Sequence, residues 1–165
     1  MRTIENNLGF GGAALTSMKS YSEVKKLLNT AFEQGIRHFD TAVLYGKGYS
    51  ELIFGLFLKD KRQEVTITTK FGLGDAFKTG SMPIEVVLPL NYNFKKIKKV
   101  FSDSSLKHLE VAYKPVRQRV IEKQMLEESF NDSLNRLKTD YIDYYLLHEG
   151  LPSFLTAEAF DYLSD

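Results

Sequence analysis

Residues 65–70 of this chain read VTITTK, a run of mostly β-branched residues that ends in a lysine and predicts a β-strand. Residues 36–40, IRHFD, follow a glycine and predict a second, shorter strand upstream. Residues 141–147, YIDYYLL, are nearly continuous in apolar and aromatic side chains, which is typical of a strand covered on both faces. A short first strand ends at Phe10. The sequence therefore predicts four strands.

Helix-like segments separate these strands. Ser20 precedes Glu23 by three residues, the spacing of a capping box, and apolar residues then recur at helical spacing as far as Gly35, a typical C-terminal cap. Further helices are predicted at about 50–59 and 118–137, and a fourth begins after Thr156. This alternation predicts an α/β fold of neighbouring parallel strands, in the order one to four, with right-handed crossovers. An open doubly wound sheet and a (β/α) barrel both begin in this way.

The stretch that follows Lys70 and runs to Arg117 breaks the alternation. It contains Pro83, Pro89 and Pro115 and is predicted to be a long irregular excursion. From residue 75 to residue 119 it has nine basic and four acidic side chains. Two interpretations stay open: a solvated surface loop, or a lid over an active site whose charge attracts an anionic ligand.

The composition limits the class of protein. The 165 residues are 43% hydrophobic and 26% charged, and their net charge of +1 indicates neither a nucleic-acid nor a membrane partner. The absence of cysteine excludes disulfides and thiolate chemistry. There is neither a signal-peptide pattern nor an apolar run near the ~20 residues of a spanning helix. We expect a cytoplasmic protein that forms one domain over residues 1–165.

Three ionisable residues of different type end predicted strands. Asp40, Lys70 and His148 would all face the same rim of a parallel barrel, where active sites are built, and Tyr45 lies close enough to Asp40 to fold back over that rim. An ammonium beside a phenol favours the phenolate, and a carboxylate holds the ammonium in place. A nearby imidazole can hydrogen-bond a carbonyl oxygen. Together these groups form a general-acid device for carbonyl reduction once a cofactor delivers hydride.

Each of these residues also has an ordinary structural interpretation. Asp40 could cap a turn, Tyr45 could be a surface aromatic, Lys70 a solvated strand end and His148 a core histidine. His38 and His108 match no part of the device. Three histidines without cysteine or a close carboxylate spacing predict that there is no metal site.

Five stretches carry a family resemblance: LGFGG at 8–12, GIRHFDTA at 35–42 with YG at 45–46, TKFG at 69–72, SLNRL at 133–137, and YIDYYLLH at 141–148. They resemble the N-terminal half of the aldo-keto reductases and cover nearly the whole chain except the excursion. The resemblance implies an incomplete parallel (β/α) barrel of TIM type, with about the first four strand-helix units.

The resemblance also implies roles. Tyr45 would be the proton donor, Lys70 and Asp40 would tune it, and His148 would orient a small carbonyl substrate. Gly12, Ala13 and Asp40 would lie near the nicotinamide of the cofactor, which we expect to be NADP(H) rather than NAD(H). The implied function is the NAD(P)H-dependent reduction of aldehydes or ketones to alcohols.

The same family implies that most of the cofactor site lies in a second half that these residues do not contain, since a full barrel has eight strand-helix units and about 250 residues. We therefore expect the open strand edges and inner face to be covered by a homodimer partner or by a separately encoded second half-barrel, failing which the chain would aggregate. The alternatives are an inactive truncated remnant and a non-enzymatic binding protein of the same fold.

Overall fold

The computed structural model of the chain describes residues 8–72, 82–100, 120–150 and 152–164. These residues form four strands: β1 Gly9–Gly11, β2 His38–Asp40, β3 Thr66–Phe71 and β4 Tyr144–Leu147. They also form five α-helices: α1 Tyr21–Glu33, α2 Tyr49–Leu58, α3 Ile84–Val100, α4 Lys123–Leu137 and α5 Ala157–Ser164. His108 and Pro115 lie outside the described residues.

The four strands form one parallel sheet in the order β1-β2-β3-β4, which confirms the predicted α/β fold and strand order. The register aligns Gly11 with Asp40, Asp40 with Thr68, and Lys70 with Leu146. Alternate side chains therefore share a face, and Asp40, Thr68 and Lys70 lie on the same side of the sheet.

Helices cover the opposite face. Phe39 and Ile67 are fully buried in a cluster with Phe54 and Phe57 of α2, and Phe71 packs in a second cluster with Leu126 of α4. Because helices pack on this face in all the described βα units, the face that carries Asp40 and Lys70 is the concave, inner face of the barrel segment.

Three predicted helix caps are present. The Ser20 hydroxyl accepts a hydrogen bond from the Glu23 N–H at 3.3 Å. Gly35 has a φ of +86°, the left-handed conformation expected after α1. The Thr156 hydroxyl accepts from the Ala159 N–H at 3.2 Å and so caps α5. These ends depend on local chemistry, which explains why the sequence alone could place them.

The prediction that residues 71–117 form an irregular excursion was wrong in its middle part, which contains the 17-residue helix α3. Pro83 lies just before this helix, where its carbonyl accepts from the N–H groups of Val86 and Val87. Pro89 lies inside α3. A proline removes one helical hydrogen bond, and burial of Ile84 and Leu88 in the core offsets that cost.

Two other boundaries differ from the predictions. The helix predicted at 118–137 begins only at Lys123, and the strand predicted at 141–147 begins at Tyr144. β4 is not covered on both faces, because Tyr144 and Leu146 are 54% and 44% exposed on the concave side. Apolar composition alone could not tell that this face has no cover among the described residues. In the part of the chain that the structure describes, no helix has the length and apolarity to cross a membrane.

Candidate active site

Asp40 and Lys70 form an ion pair at the rim where the strands end. The Lys70 ammonium donates to both carboxylate oxygens of Asp40, at 2.6 and 2.7 Å, and to the Thr41 carbonyl at 2.9 Å. The side chains are 15% (Lys70) and 33% (Asp40) exposed, so the pair is partly shielded but still reaches solvent. Two neighbouring strands thus hold one positive charge in a fixed place.

Tyr45 and His148 complete the cluster. The Lys70 ammonium lies 5.2 Å from the centroid of the Tyr45 ring. The ring of His148 stands edge-on to that of Tyr45, with centroids 5.8 Å apart and planes at 89°. The structure therefore brings together all four residues that the sequence singled out, from three strand ends and one loop.

The backbone of His148 is hydrogen-bonded to the end of β3. Its N–H donates to the Phe71 carbonyl at 2.8 Å, which continues the β3-β4 pairing by one residue. The side chain is 9% exposed, and among the described residues Nδ1 has no hydrogen-bond partner. Burial and the nearby Lys70 lower the pKa of His148, although Glu149 and Asp40 act in the opposite direction. The imidazole is therefore neutral at pH 7 and able to donate or accept one hydrogen bond at each nitrogen, according to its tautomer.

The loop after β1 contains the two residues expected near a nicotinamide. Gly12 is buried: its N–H donates to the Asp40 carbonyl at 2.7 Å, and its carbonyl accepts from the Ser50 hydroxyl at 3.0 Å. A Cβ at Gly12 would lie 2.5 Å from the Phe54 ring and 2.6 Å from Ser50 Oγ, so only glycine fits there. Ala13, in contrast, is exposed beside the rim.

Comparison with known proteins gives the family. The sequence matches the model of the Aldo/keto reductase family over residues 7–165. The chain belongs to the aldo/keto reductase family. As an aldo/keto reductase chain with four parallel βα units, it contains part of the TIM-type barrel.

Individual relatives agree with this assignment. The chain is 29% identical over 145 residues to an uncharacterized oxidoreductase of Bacillus subtilis, covering 88% of this chain and 35% of that protein. Over 69 residues it is 41% identical to a D-threo-aldose 1-dehydrogenase of a Pseudomonas species, covering 39% of this chain and 21% of that one. Among solved structures, the holo form of an aldo-keto reductase from Bacillus halodurans superimposes with a TM-score of 0.60 at 28% identity, covering 95% of this chain and 41% of that one.

A Klebsiella pneumoniae aldo-keto reductase in complex with NADPH shares the fold, with a TM-score of 0.58 at 21% identity and coverage of 94% of this chain and 40% of that one. The present chain therefore spans about two fifths of the length of these structural relatives. It spans 35% of the Bacillus subtilis protein.

Several residues that support the candidate site were not identified from the sequence. Thr41 follows Asp40 directly; its carbonyl accepts from Lys70, and its hydroxyl donates to Ser50 Oγ at 2.9 Å. Ser50 in turn donates to the Gly12 carbonyl. These hydrogen bonds connect the ends of β1, β2 and β3 to the start of α2. Thr41 lies inside the GIRHFDTA stretch, which was the available signal.

A buried ion pair behind β3 was missed as well. Glu51 has no exposed surface and accepts from Arg136 Nε and from the Thr69 hydroxyl, both at 2.6 Å. It connects α2, α4 and the residue before Lys70. Arg136 lies in the SLNRL stretch, but its partner is 85 residues away in sequence, so no local pattern identifies the pair.

His38, to which the sequence gave no role, lies on the concave face one layer below Asp40. Its ring nitrogens are 2.8 Å from the Thr66 hydroxyl and 3.3 Å from the Thr68 hydroxyl. These contacts account for it as a packed, hydrogen-bonded residue. Across the ranges that the structure describes, no group of three or more potential metal ligands occurs.

Proposed function

We propose that this chain supplies the proton-transfer half of an NADP(H)-dependent reductase of aldehydes or ketones, with Tyr45 as the proton donor. The observation that carries the proposal is the position of the Lys70 ammonium, which is held by Asp40 on one side and faces the Tyr45 ring on the other. Membership of the aldo/keto reductase family supports the same reaction.

The residues present fit a nicotinamide cofactor on the concave side. Ala13 is exposed at the rim, Asp40 presents a carboxylate there, and His148 Nδ1 is a buried polar atom that lacks a partner within the described ranges. When bound, NADP(H) supplies the hydride that adds to the carbonyl carbon. NADP(H) is favoured over NAD(H) because the Klebsiella pneumoniae structure contains NADPH.

The chain's own residues then handle the proton. His148 donates a hydrogen bond to the substrate oxygen and fixes its direction. As negative charge develops on that oxygen, the Tyr45 hydroxyl gives up its proton to it, and the product alcohol forms. The Lys70 ammonium stabilises the phenolate left on Tyr45, while Asp40 keeps the ammonium charged and in place.

We further propose that a second half-barrel covers the concave face, either a second copy of the chain or a separate chain. In the described sheet β1 and β4 are edge strands, and Tyr144 and Leu146 leave apolar surface open on the inner side. The absence of cysteine agrees with a reducing compartment such as the cytoplasm. Light scattering at micromolar concentration tests the association, and a stable monomer with a sharp unfolding transition would contradict it.

The test of the reaction is Tyr45→Phe in the assembled protein. Loss of the donor should lower the rate of carbonyl reduction by roughly 10²–10⁴-fold while NADPH affinity, followed by NADPH fluorescence, stays within about twofold. Tyr144→Phe is the matched control, because it removes a hydroxyl from an exposed tyrosine on the same face. A Tyr45→Phe protein with wild-type turnover would show that another group delivers the proton. Failure of the wild-type protein to bind NADPH would favour an inactive remnant.

A further inference from the structure

Helix α3 lies between the motif stretches at 69–72 and 133–137, and it packs beside the loops of the candidate site. Its buried residues Ile84, Val87 and Leu88 share one apolar cluster with Leu15 and Tyr49. Leu15 belongs to the loop after β1, and Tyr49 begins α2 directly after the loop of Tyr45. One helix therefore packs against the loop after β1 and against the start of α2, which directly follows the loop of Tyr45.

Polar contacts fix α3 in this position. The Asn91 side-chain amide donates to the Thr16 carbonyl at 3.3 Å, and the Lys95 ammonium donates to the Ser17 hydroxyl. At the other end of the helix, the Tyr49 hydroxyl donates to the Met82 carbonyl at 3.1 Å. Asn91 and Lys95 are one helical turn apart, so both lie on the same face of α3.

The turn that α3 holds is pressed directly against the loop of Tyr45. A Cβ at Gly46 would lie 2.3 Å from the Thr16 methyl group, so the two loops touch without space for a side chain. Gly46, Lys47 and Gly48 have successive φ angles of +62°, +56° and +85°. Lys47 in the left-handed region carries backbone strain that persists only when surrounding contacts hold it.

We propose that α3 is a brace for the catalytic rim, and that Asn91 and Lys95 are positioning residues that act on Tyr45 through the 15–17 turn. This inference rests on the proposed role of Tyr45. It differs from the interpretation of the excursion as a charged lid, because the Lys95 ammonium is hydrogen-bonded to Ser17. The brace transmits order from α3 to Thr16, from Thr16 to Gly46, and from Gly46 to the preceding Tyr45.

Hydrogen exchange tests the brace without requiring catalysis. The double variant Asn91→Ala, Lys95→Ala should make the amides of Ser17 and Gly48, which are hydrogen-bonded in these loops, exchange roughly 10-fold faster, because two contacts are lost. Exchange in α1 and β3 should stay as in the wild type. The matched control is Asn93→Ala, Lys96→Ala, which changes exposed residues of the same types on the same helix. The single variant Lys95→Arg keeps a donor at this position, so exchange at Ser17 should stay as slow as in the wild type.

Kinetics in the assembled protein separate positioning from general destabilisation. The double variant should lower kcat by about 10-fold, within the 10²-fold that a misplacement of 1 Å can cost. If α3 acts through Tyr45, the same double variant should have little further effect on the residual rate in a Tyr45→Phe background. A purely structural defect would lower the rate equally in both backgrounds.

Each outcome decides the proposal. Unchanged exchange in the two loops overturns the brace, whether or not the protein reduces carbonyls. Faster exchange with an unchanged kcat, or an equal loss of rate in the Tyr45→Phe background, overturns the positioning role. If the double variant does not fold, the single variant Asn91→Asp, which loses the amide donor at similar size, is measured by the same exchange. If the assembled wild-type protein does not turn over, the proposed function fails while exchange still decides the brace.

Discussion

The two rims of this sheet each carry an ion pair between neighbouring strand ends, and the pairs differ in what surrounds them. At the rim where the strands end, Lys70 and Asp40 are 2.6 Å apart. At the rim where the strands begin, Arg62 and Asp143 are 2.7 Å apart. The distances are nearly equal, so distance alone cannot explain why one pair is a candidate for chemistry and the other is not.

The Arg62 side chain of the second pair is hydrogen-bonded to several surrounding groups. Besides Asp143, its guanidinium donates to the Thr139 hydroxyl and to the carbonyls of Val65 and Tyr141, each at 3.0 Å. It also lies 3.7 Å from the centroid of the Tyr141 ring. Asp143 accepts in addition from the Ile67 N–H at 2.8 Å. The hydrogen bonds of this pair therefore stabilise the segments that lead into β3 and β4.

The Lys70–Asp40 pair has fewer hydrogen-bond partners than the Arg62–Asp143 pair and is more exposed. Beyond Asp40 it contacts the Thr41 carbonyl and the face of Tyr45, and one third of the Asp40 side chain is exposed. A neutral, buried histidine completes the cluster. The comparison teaches that the rim where the strands begin uses charge for stability, whereas the rim where they end keeps charge beside groups that can exchange a proton, as in TIM-type barrels generally.

The largest expected effect follows from the loss of the Arg62–Asp143 pair. Arg62→Ala removes the counter-ion of the partly buried Asp143 carboxylate and the guanidinium donor to the Val65 and Tyr141 carbonyls, and we expect the free energy of unfolding in urea to fall by about 3 kcal/mol. Arg37→Ala is the control, because Arg37 is exposed, donates to the carbonyls of Phe32 and Ile36 and lies over the Phe32 ring, but has no carboxylate partner among the described residues. Its cost should stay below about 1.5 kcal/mol. Equal losses in the two variants would remove the distinction between the rims.

A smaller change in stability is expected at the other rim. Asp40→Asn should alter the free energy of unfolding by less than about 1 kcal/mol, because this pair is partly exposed. Carbonyl reduction by the same variant should nevertheless fall, since Lys70 loses the carboxylate that positions it. Asp143→Asn sharpens the comparison: it should reduce stability more than Asp40→Asn and activity less. A larger loss of stability in Asp40→Asn, together with a larger loss of activity in Asp143→Asn, would contradict this comparison.

The smallest effect concerns pH. The pKa of His148 is lowered from its ordinary value of 6.5 by burial and by Lys70. As pH falls through about 6.5, the unfolded chain binds a proton at this residue while the folded chain does not, so stability decreases. The decrease ends once the pH is below the folded-state pKa. We expect urea unfolding between pH 7.5 and pH 5.5 to show this loss, and His148→Gln to reduce it. An identical pH dependence in the variant would contradict the shift.

The sequence predicted well the features that depend on neighbouring residues. The Ser20 and Thr156 caps and the left-handed Gly35 follow from contacts within a few positions. The alternation of strands and helices gave the parallel order because right-handed crossovers leave few other topologies. The residues of the candidate site could be named because each stands at or beside a strand end.

Features that depend on distant packing were predicted poorly. Pro89 made the segment after β3 look irregular, but Val87 and Leu88 form a helix there because they pack against Leu15. The apolar run of β4 looked like a doubly covered strand, although its Tyr144 face is open. In both cases, contacts with distant parts of the chain, or the lack of them among the described residues, outweighed the local propensity.

The sequence by itself determined the order of the elements, their caps and the chemical types that arrive at the rim where the strands end. Those properties are encoded in periodicity and in the few residues beside each boundary. Only the tertiary structure decided that Lys70 turns to Asp40 and faces Tyr45, that Asn91 and Lys95 hold the turn beside Gly46, and that Glu51 finds Arg136. These contacts join residues far apart in the chain, and their free energy exists only after the sheet and helices have packed together.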